Sequence, residues 1–510
     1  MLALGYISTS KTQLIGTGTK RRITMSVTAR PHANIVGSGP NGLTAAAMLA
    51  RAGWHVRVYE RNDAVGGAAA SADVFGDGSI VDMGAAAHPF GVASPVFRHL
   101  GLEERGLEWL HSEYPMAHPF EDGPAAILQR DIRKTARSLG IDSTAWRLIH
   151  RGVVNSIDDY LEQIMRPLLR FPNRPVKMAQ FGMLGSAPSS WFVRTAFREE
   201  AARALFTGSA AHANTPLGHP FTSTFGVLFS ALGMTRGWPV IKGGTGALVN
   251  ALTEVIREYD GEVFTNHEVT DLDALPPARA TVLDITPSQA LVMRGKQLRE
   301  LPEHTVQRFQ RWRYGPGVYK VDWQLDGPVP WADSRVSHAT TVHVGGRAAE
   351  IRLAEAQVNA GRIPDRPFVM VVQPQVADPS RAPEGSHILW TYTHVPHGYK
   401  PATKDRDYVA DVIQAQIERY APGFGSKIRA KKVWDPAALE EWNPNLVGGD
   451  IAGGAMTGLQ SLLRGGLTLE PYRMGVDGLY ICSAATPPGA GVHGMPGAWA
   501  AHAVIADQRY

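Results

Sequence analysis

The sequence predicts an α/β fold, a Rossmann-type nucleotide-binding domain joined to a discontinuous α+β domain. Three observations predict it. Residues 33–59 read strand, glycine turn, helix, strand, with the spacing GxGxxG at 37–42. Residues 478–503 read strand, Pro/Gly-rich loop and small-residue helix, and so pair with the start of the chain. Between them the pattern passes from helical runs to alternating β-rich runs. There is no internal repeat and no heptad pattern.

Taken in order, ANIVG at 33–37 is a short apolar run entering a glycine turn. GLTAAAMLARA at 42–52 is alanine-rich and helical, and Gly53 suits its end. HVRVY at 55–59 alternates as a strand, completing the unit that opens a doubly wound sheet. SIVDMGAAAHPF at 79–90 reads as a strand followed by a loop. Residues 97–239 change character: helical patterns around 144–170 and 191–210 are interrupted at 171–175 and 182–188, which predicts a helical insertion. The α/β rhythm returns with a glycine turn at 243–246, a helix over 247–259 and the strand EVFTN. Alternating runs at 314–327, 336–346 and 367–375 predict a second, largely antiparallel sheet, and 405–420 a helix. The strand LYICSA at 479–484 and a helix from about 496 return to the first domain. The expected organisation is a disordered leader over 1–30, a nucleotide-binding domain drawn from 31–96, 240–290 and 430–510, and a substrate domain drawn from 97–239 and 291–429.

Composition excludes several classes. The 510 residues exceed one compact core. Cys482 is the single cysteine, which rules out an intramolecular disulfide and an all-cysteine metal or iron–sulfur site. Of the net charge of +4, Lys11, Lys20, Arg21, Arg22 and Arg30 supply five positive charges within 1–30, where there is no acid, leaving −1 for the remainder. Nucleic-acid binding therefore gains no support. The leader's basic, Ser/Thr-rich composition fits a disordered segment, which implies a cytoplasmic chain; the alternative is a transit peptide and the mitochondrial matrix. No apolar run is long enough for a transmembrane helix. FTSTFGVLFSALGM at 221–234 reads as core helix or a wall of a substrate channel, with a shallow peripheral membrane contact as the alternative.

The chemistry begins at the turn. Gly37 permits a tight exit from the strand, Gly39 a close backbone approach to a pyrophosphate, and Gly42 close helix–sheet packing. The helix N-terminus offers free N–H groups to phosphates. Glu60 ends the second strand 18 residues after Gly42, where an acid accepts ribose hydroxyls and repels a 2′-phosphate. Gly66 and Gly67, just beyond, let the chain pass close to a diphosphate. At the far end, the loop before the last helix sets backbone amides and a helix dipole against something flat.

From Ile35 to Gly67 the chain resembles the FAD-binding signature shared by amine oxidases, phytoene desaturases and Rab GDP-dissociation inhibitors. Residues 478–503 resemble the C-terminal signature of the carotenoid and retinoid oxidoreductases, LYLCGxGTHPGGGVxGxPG, matching at Leu479, Tyr480, Cys482, Thr486, Pro488, Gly489, Gly491, Val492, Gly494, Pro496 and Gly497. IKGGTGALVNAL at 241–252 resembles that family's GGMGAL turn. Residues 418–426 and 440–466 resemble a branch that includes pyridine nucleotide-disulfide oxidoreductase domain-containing protein 2. The chain departs from the pattern at Ser483, Ala485, Pro487 and Ala68, and VLDITPS at 282–288 replaces the family's usual turn. The resemblance implies an amine oxidase/phytoene desaturase-like fold and FAD as cofactor. The expected cofactor-binding set is Gly37, Ser38, Gly39, Pro40, Asn41, Gly42, Glu60, Arg61, Gly66, Gly67, Ala68, Val269, Gly491 and Val492.

The leading expectation is an FAD-dependent dehydrogenase, desaturase or oxidase passing a hydride from an apolar, isoprenoid-like small molecule to flavin N5, with the electron acceptor left open. An amine-type flavin oxidase, marked by a paired-aromatic cage, and a non-catalytic prenyl-lipid carrier are the alternatives. His88 and His493 flank the predicted flavin-facing loops and are the candidate acid–base groups, with a structural role as the alternative for both. No metal site is expected: His212 with His219, and His394 with His397, lack a third ligand. The Gly243–Gly246 turn lacks the lysine of a phosphate loop and reads as a domain-junction turn.

Overall fold

The computed structural model describes residues 30–167, 169–402, 407–464 and 466–507. The expected leader lies outside the described residues except for Arg30.

Five parallel strands form the first sheet, in the order Leu479–Ile481, Ala280–Leu283, His32–Val36, His55–Tyr59 and Glu262–Phe264. Parallel neighbours need crossover connections, and helix Pro40–Arg51 supplies the one between His32–Val36 and His55–Tyr59. Ala33 and Ile35 face one core, while Val36 turns to another with Leu283 and Ile481, so the central strand is covered on both sides. Helix Pro40–Arg51 packs on this sheet between helices Gly246–Glu258 and Met495–Asp507. The crossing with the last helix is tight: a Cβ at Gly497 would sit 1.9 Å from the carbonyl oxygen of Asn41. Only glycine allows that approach.

Seven strands form the second sheet, in the order Ile428–Trp434, Gly317–Leu325, His387–Val395, Val369–Val372, Ala339–Val344, Tyr114–His118 and Ala126–Leu128. Neighbours are antiparallel except Ala339–Val344 with Tyr114–His118, which run parallel. Strand Gly317–Leu325 shows the period-two logic. Tyr319, Val321, Trp323 and Leu325 enter the core beneath helix Tyr408–Glu418, and Val318 enters the opposite one. Helices between residues 132 and 235 cover the other end.

Four sequence expectations are corrected. Residues 182–185 continue helix Pro175–Gly185 rather than interrupt it. The insertion contains the strands Tyr114–His118 and Ala126–Leu128. Strands His387–Val395 and Ile428–Trp434 extend the second sheet beyond its expected runs. The strand EVFTN stops at Phe264, because Asn266 adopts the left-handed region at φ 52°. Among the described residues no helix is long and apolar enough to cross a membrane. Helix Thr222–Thr235 is largely buried, and Thr224, Phe225, Leu228 and Phe229 line a cavity.

Candidate cofactor and substrate site

The glycine turn is closed by contacts from four segments. Gly37 adopts φ +95°, and its N–H donates to the carbonyl of Tyr59 at 2.9 Å. A Cβ at Gly42 would meet the Gly37 oxygen at 2.2 Å, and one at Gly67 the Gly39 Cα at 3.0 Å. The glycine doublet therefore lies directly on the turn, and the Gly66 N–H donates to the Ser38 carbonyl at 3.1 Å. At Gly39 the structure adds a second reason for glycine. An added Cβ would point at the Asp284 carboxyl, 2.6 Å from Oδ2. Pro40 starts the helix, and the Asn41 carbonyl meets Gly497.

Glu60 is buried at the end of its strand beside this turn. Its Oε2 accepts the Ser38 N–H at 3.1 Å and the Ser38 hydroxyl, and its Oε1 accepts the Asn62 N–H at 2.9 Å. Oε2 thus has both lone-pair sites taken, and Oε1 retains one for a further donor. Arg61 is exposed near Glu268 and the Glu441 carbonyl, and Val269 is half-buried against the core beyond the sheet.

A cavity of about 410 Å³ begins at Ala68, next to the glycine doublet, and reaches the second sheet. Ala68 and Met83–Ala87 line one side, and Pro487, Pro488 and Ala490–His493 another. Gly491 and Val492 both have positive φ, 145° and 51°. For a β-branched residue that is an outlier, of the kind surrounding structure holds in place at functional sites. The dinucleotide cradle, the backbone-on-backbone approach at Gly67 and the cavity beyond Ala68 fit an elongated dinucleotide with a flat ring at its inner end.

The second sheet supplies the facing wall. Lys320 lines the cavity and forms a buried ion pair with Asp322, two residues on along the same strand and itself not among the lining residues. Asp322 also accepts the Trp434 indole N–H at 3.0 Å, and the Lys320 ammonium lies 5.7 Å from the Trp390 ring centroid. Burial lowers the Lys320 pKa and raises that of Asp322, each opposed by the other's charge. Arg464 closes the cavity near the Pro487–Pro488 loop. Its guanidinium donates to the carbonyls of Ala452, Gly454 and Ala484, and burial pushes its pKa down to about 10. Lys320 and Arg464 were not singled out in the sequence reading.

His88 and His493 separate. His88 bonds the Thr245 hydroxyl at 2.8 Å and does not line the cavity; His493 does line it, and its Nδ1 accepts the Met495 N–H at 3.2 Å. Burial pushes both down to about 4, so both rings are neutral at pH 7. His212 and His219 also part: His212 bonds His343 at 3.0 Å, and His219 bonds Thr215 at 3.2 Å. His394 bonds Glu355, and His397 the Gly315 carbonyl. No group of three metal-ligating side chains occurs among the described residues. The 243–246 amides serve the fold: Gly243, Thr245 and Gly246 donate to Asp378, Asp82 and Ser71.

The family model described as an NAD(P)-binding Rossmann-like domain matches residues 35–100. The chain is 25% identical to pyridine nucleotide-disulfide oxidoreductase domain-containing protein 2 of Rattus norvegicus, over 93% of each chain. It is 27% identical to the neurosporene-forming phytoene desaturase of Rhodobacter capsulatus, over 55% of this chain and 56% of that one. An oxidoreductase from Methanosarcina mazei shares the fold with a TM-score of 0.61 at 16% identity, covering 94% of this chain and 100% of that one. Putrescine oxidase bound to putrescine does so at 0.60 and 17%, covering 94% and 99%. The chain is thus a homologue of phytoene desaturases with the fold of the amine oxidases, and these relatives and neighbours are oxidoreductases.

Proposed function

We propose that this homologue of the phytoene desaturases is an FAD-dependent oxidoreductase that removes a hydride from an apolar substrate held in the cavity against the second sheet. The composition of the cavity wall carries the reading. It is largely apolar, basic at Arg166, Lys320 and Arg464, and without a carboxylate among its described lining residues. A protonated amine entering it would lose its hydration and find no counter-ion, a penalty of several kcal/mol for a buried charge. Trp390 and Tyr392 stand at 90° to each other, not as the parallel walls of an aromatic cage. An isoprenoid hydrocarbon, the class the desaturases' names specify, needs no counter-charge. Bound FAD supplies the hydride acceptor. The chain's own part is to strip water from the substrate and hold it in one orientation. His493, neutral and tied to the start of the last helix, holds the loop in place.

The test is to purify the chain, identify the released cofactor, and mix the holoprotein anaerobically with isoprenoid hydrocarbons, retinoids and aliphatic amines. Bleaching of the flavin absorbance by apolar compounds is expected. Bleaching by amines alone would establish the amine-type reading, and a colourless chain that refuses FAD the carrier.

Glu60→Ala is expected to weaken FAD binding roughly ten- to two-hundred-fold, the worth of ~1.5–3 kcal/mol for a bond to a charged acceptor. It also leaves the Ser38 and Asn62 amides without their acceptor, so the melting temperature should fall. FMN affinity separates the two effects, because FMN has no adenosine ribose. Unequal losses mark ribose recognition, and equal losses make Glu60 only a brace.

A further inference from the structure

We propose that the cofactor diphosphate binds preferentially against a protonated Asp284, so that the chain takes up protons as it binds FAD on the alkaline side of neutrality. The inference rests on FAD being the cofactor.

Asp284 is the first residue beyond strand Ala280–Leu283. Its backbone is pinned: its N–H donates to the Val36 carbonyl at 2.8 Å, and its own carbonyl accepts from the Asn445 amide at 3.0 Å. The side chain is buried and turned into the glycine cradle, where Oδ2 accepts the Gly42 N–H at 2.9 Å. That N–H is one of the free donors at the start of the dinucleotide helix, the group such folds direct at phosphate. A carboxyl of the chain already sits where the cofactor's negative charge is to be held.

Among the described residues no cation answers it. Strand His55–Tyr59 brings Glu60, a like charge. Strand Leu479–Ile481 brings the Cys482 thiol, itself pushed up by burial and by Asp284. The 443–445 segment brings only amides, and the Ser38 hydroxyl of the turn is given to Glu60. Burial pushes the Asp284 carboxyl up to about 7; the Gly42 and Gly39 amides oppose the rise and the Glu60 charge adds to it. Near neutral pH the free chain is therefore a mixture of the two protonation states.

A diphosphate entering beside this carboxyl adds negative charge in a buried setting, which favours the neutral form. The carboxyl pKa must then be higher in the complex than in the free chain. By linkage, FAD affinity is flat below about pH 7. It weakens by up to tenfold per pH unit above that, until the pKa of the complex is reached. A neutral carboxyl keeps Oδ2 as the acceptor for Gly42 and leaves the other oxygen for the proton, a donor toward the phosphate.

The test titrates the apoprotein with FAD from about pH 6 to about pH 8.5, following flavin fluorescence. Calorimetry in two buffers of different ionisation enthalpy counts the protons. The expected result is a flat Kd at the acid end, weakening above about pH 7, and uptake rising toward one proton. Asp284→Asn should bind FAD with no pH slope, at least as tightly as the parent at pH 6. A parent Kd that is flat throughout with no proton uptake would overturn the proposal, as would an Asn variant that keeps the slope. Should the variant not fold, the calorimetry of the parent decides alone. Failure of FAD to bind even at pH 6 would remove the flavin reading and this inference with it, whereas pH-independent binding removes only the inference.

Discussion

Gly39→Val is expected to give a chain that carries no flavin and melts well below the parent. The backbone at Gly39 is ordinary, φ −65° and ψ 170°, so the effect is not conformational strain. It is space. The first added carbon would lie 2.6 Å from Asp284 Oδ2, and Asp284 cannot withdraw because its backbone is held on both sides. The Gly67 segment also lies against the turn, where a Cβ at Gly67 would meet the Gly39 Cα at 3.0 Å. Overpacking of this kind costs ~1–3 kcal/mol, and relief by moving the turn disorders the amides meant for the diphosphate. Flavin content of the purified variant and its melting temperature are the measurements. A full complement of FAD would show that the turn is not the cofactor seat. Gly39→Ala placed in an Asp284→Ala background should recover stability that Gly39→Ala alone loses, since the obstacle is then gone.

The first sheet was legible because its signals are local. A glycine turn between a strand and an alanine-rich helix, and a Pro/Gly loop before a second small-residue helix, each state their geometry within a few residues. The second sheet was harder to read. HILWTYTHV at 387–395 is buried along nearly its whole length, and its two faces enter different cores, so no apolar–polar alternation marks it. Strands Tyr114–His118 and Ala126–Leu128 are too short to show a period among helices. The glycines at 182 and 185 looked like breakers. Gly185 is instead a contact: a Cβ there would meet the Thr224 hydroxyl at 2.4 Å, so the residue lets helix Pro175–Gly185 close on its neighbour.

In the site, the glycine turn was readable and the cavity wall was not. Lys320 and Asp322 did leave a trace, two opposite charges at strand spacing within the otherwise apolar run VYKVDWQL. Asp284 appeared only as a departure from a family turn. Its meaning depends on the burial and on the glycine opposite it, which lies 245 residues earlier in the chain. Arg464 reads as a surface arginine in a loop until the carbonyls of three residues are seen to enclose it. Such groups are made functional by tertiary neighbours, and no spacing rule connects them.

Arg381→Met is the other substitution expected to have a large effect. Arg381 and Asp82 are 299 residues apart and both fully buried, with Nη2 at 2.7 Å from Oδ2. Asp82 also accepts the Thr245 N–H and the Ser71 hydroxyl, and Arg381 donates from Nε to the Ile80 carbonyl. The pair thereby ties the segment bearing Met83–Ala87 to the second sheet and sets one wall of the cavity. Removing one member of a buried pair costs ~3–5 kcal/mol, because the other is left charged and unanswered. The sign of the pH dependence identifies the cause. In the parent, burial alone would raise the Asp82 pKa, but Arg381 and the hydrogen bonds hold it below 3.8. That contribution is present above pH 3.8 and is lost as pH falls through the folded-state value. Without Arg381, burial governs and the folded-state pKa of Asp82 is expected to rise above 3.8. The variant's deficit should then grow as pH rises from about 4 and level off beyond the new pKa. Melting temperatures of parent and variant between about pH 4 and pH 8 test this. A deficit independent of pH would mean that Arg381 matters through packing rather than charge. Asp82→Asn combined with Arg381→Met removes the stranded charge and should recover part of the loss at the alkaline end.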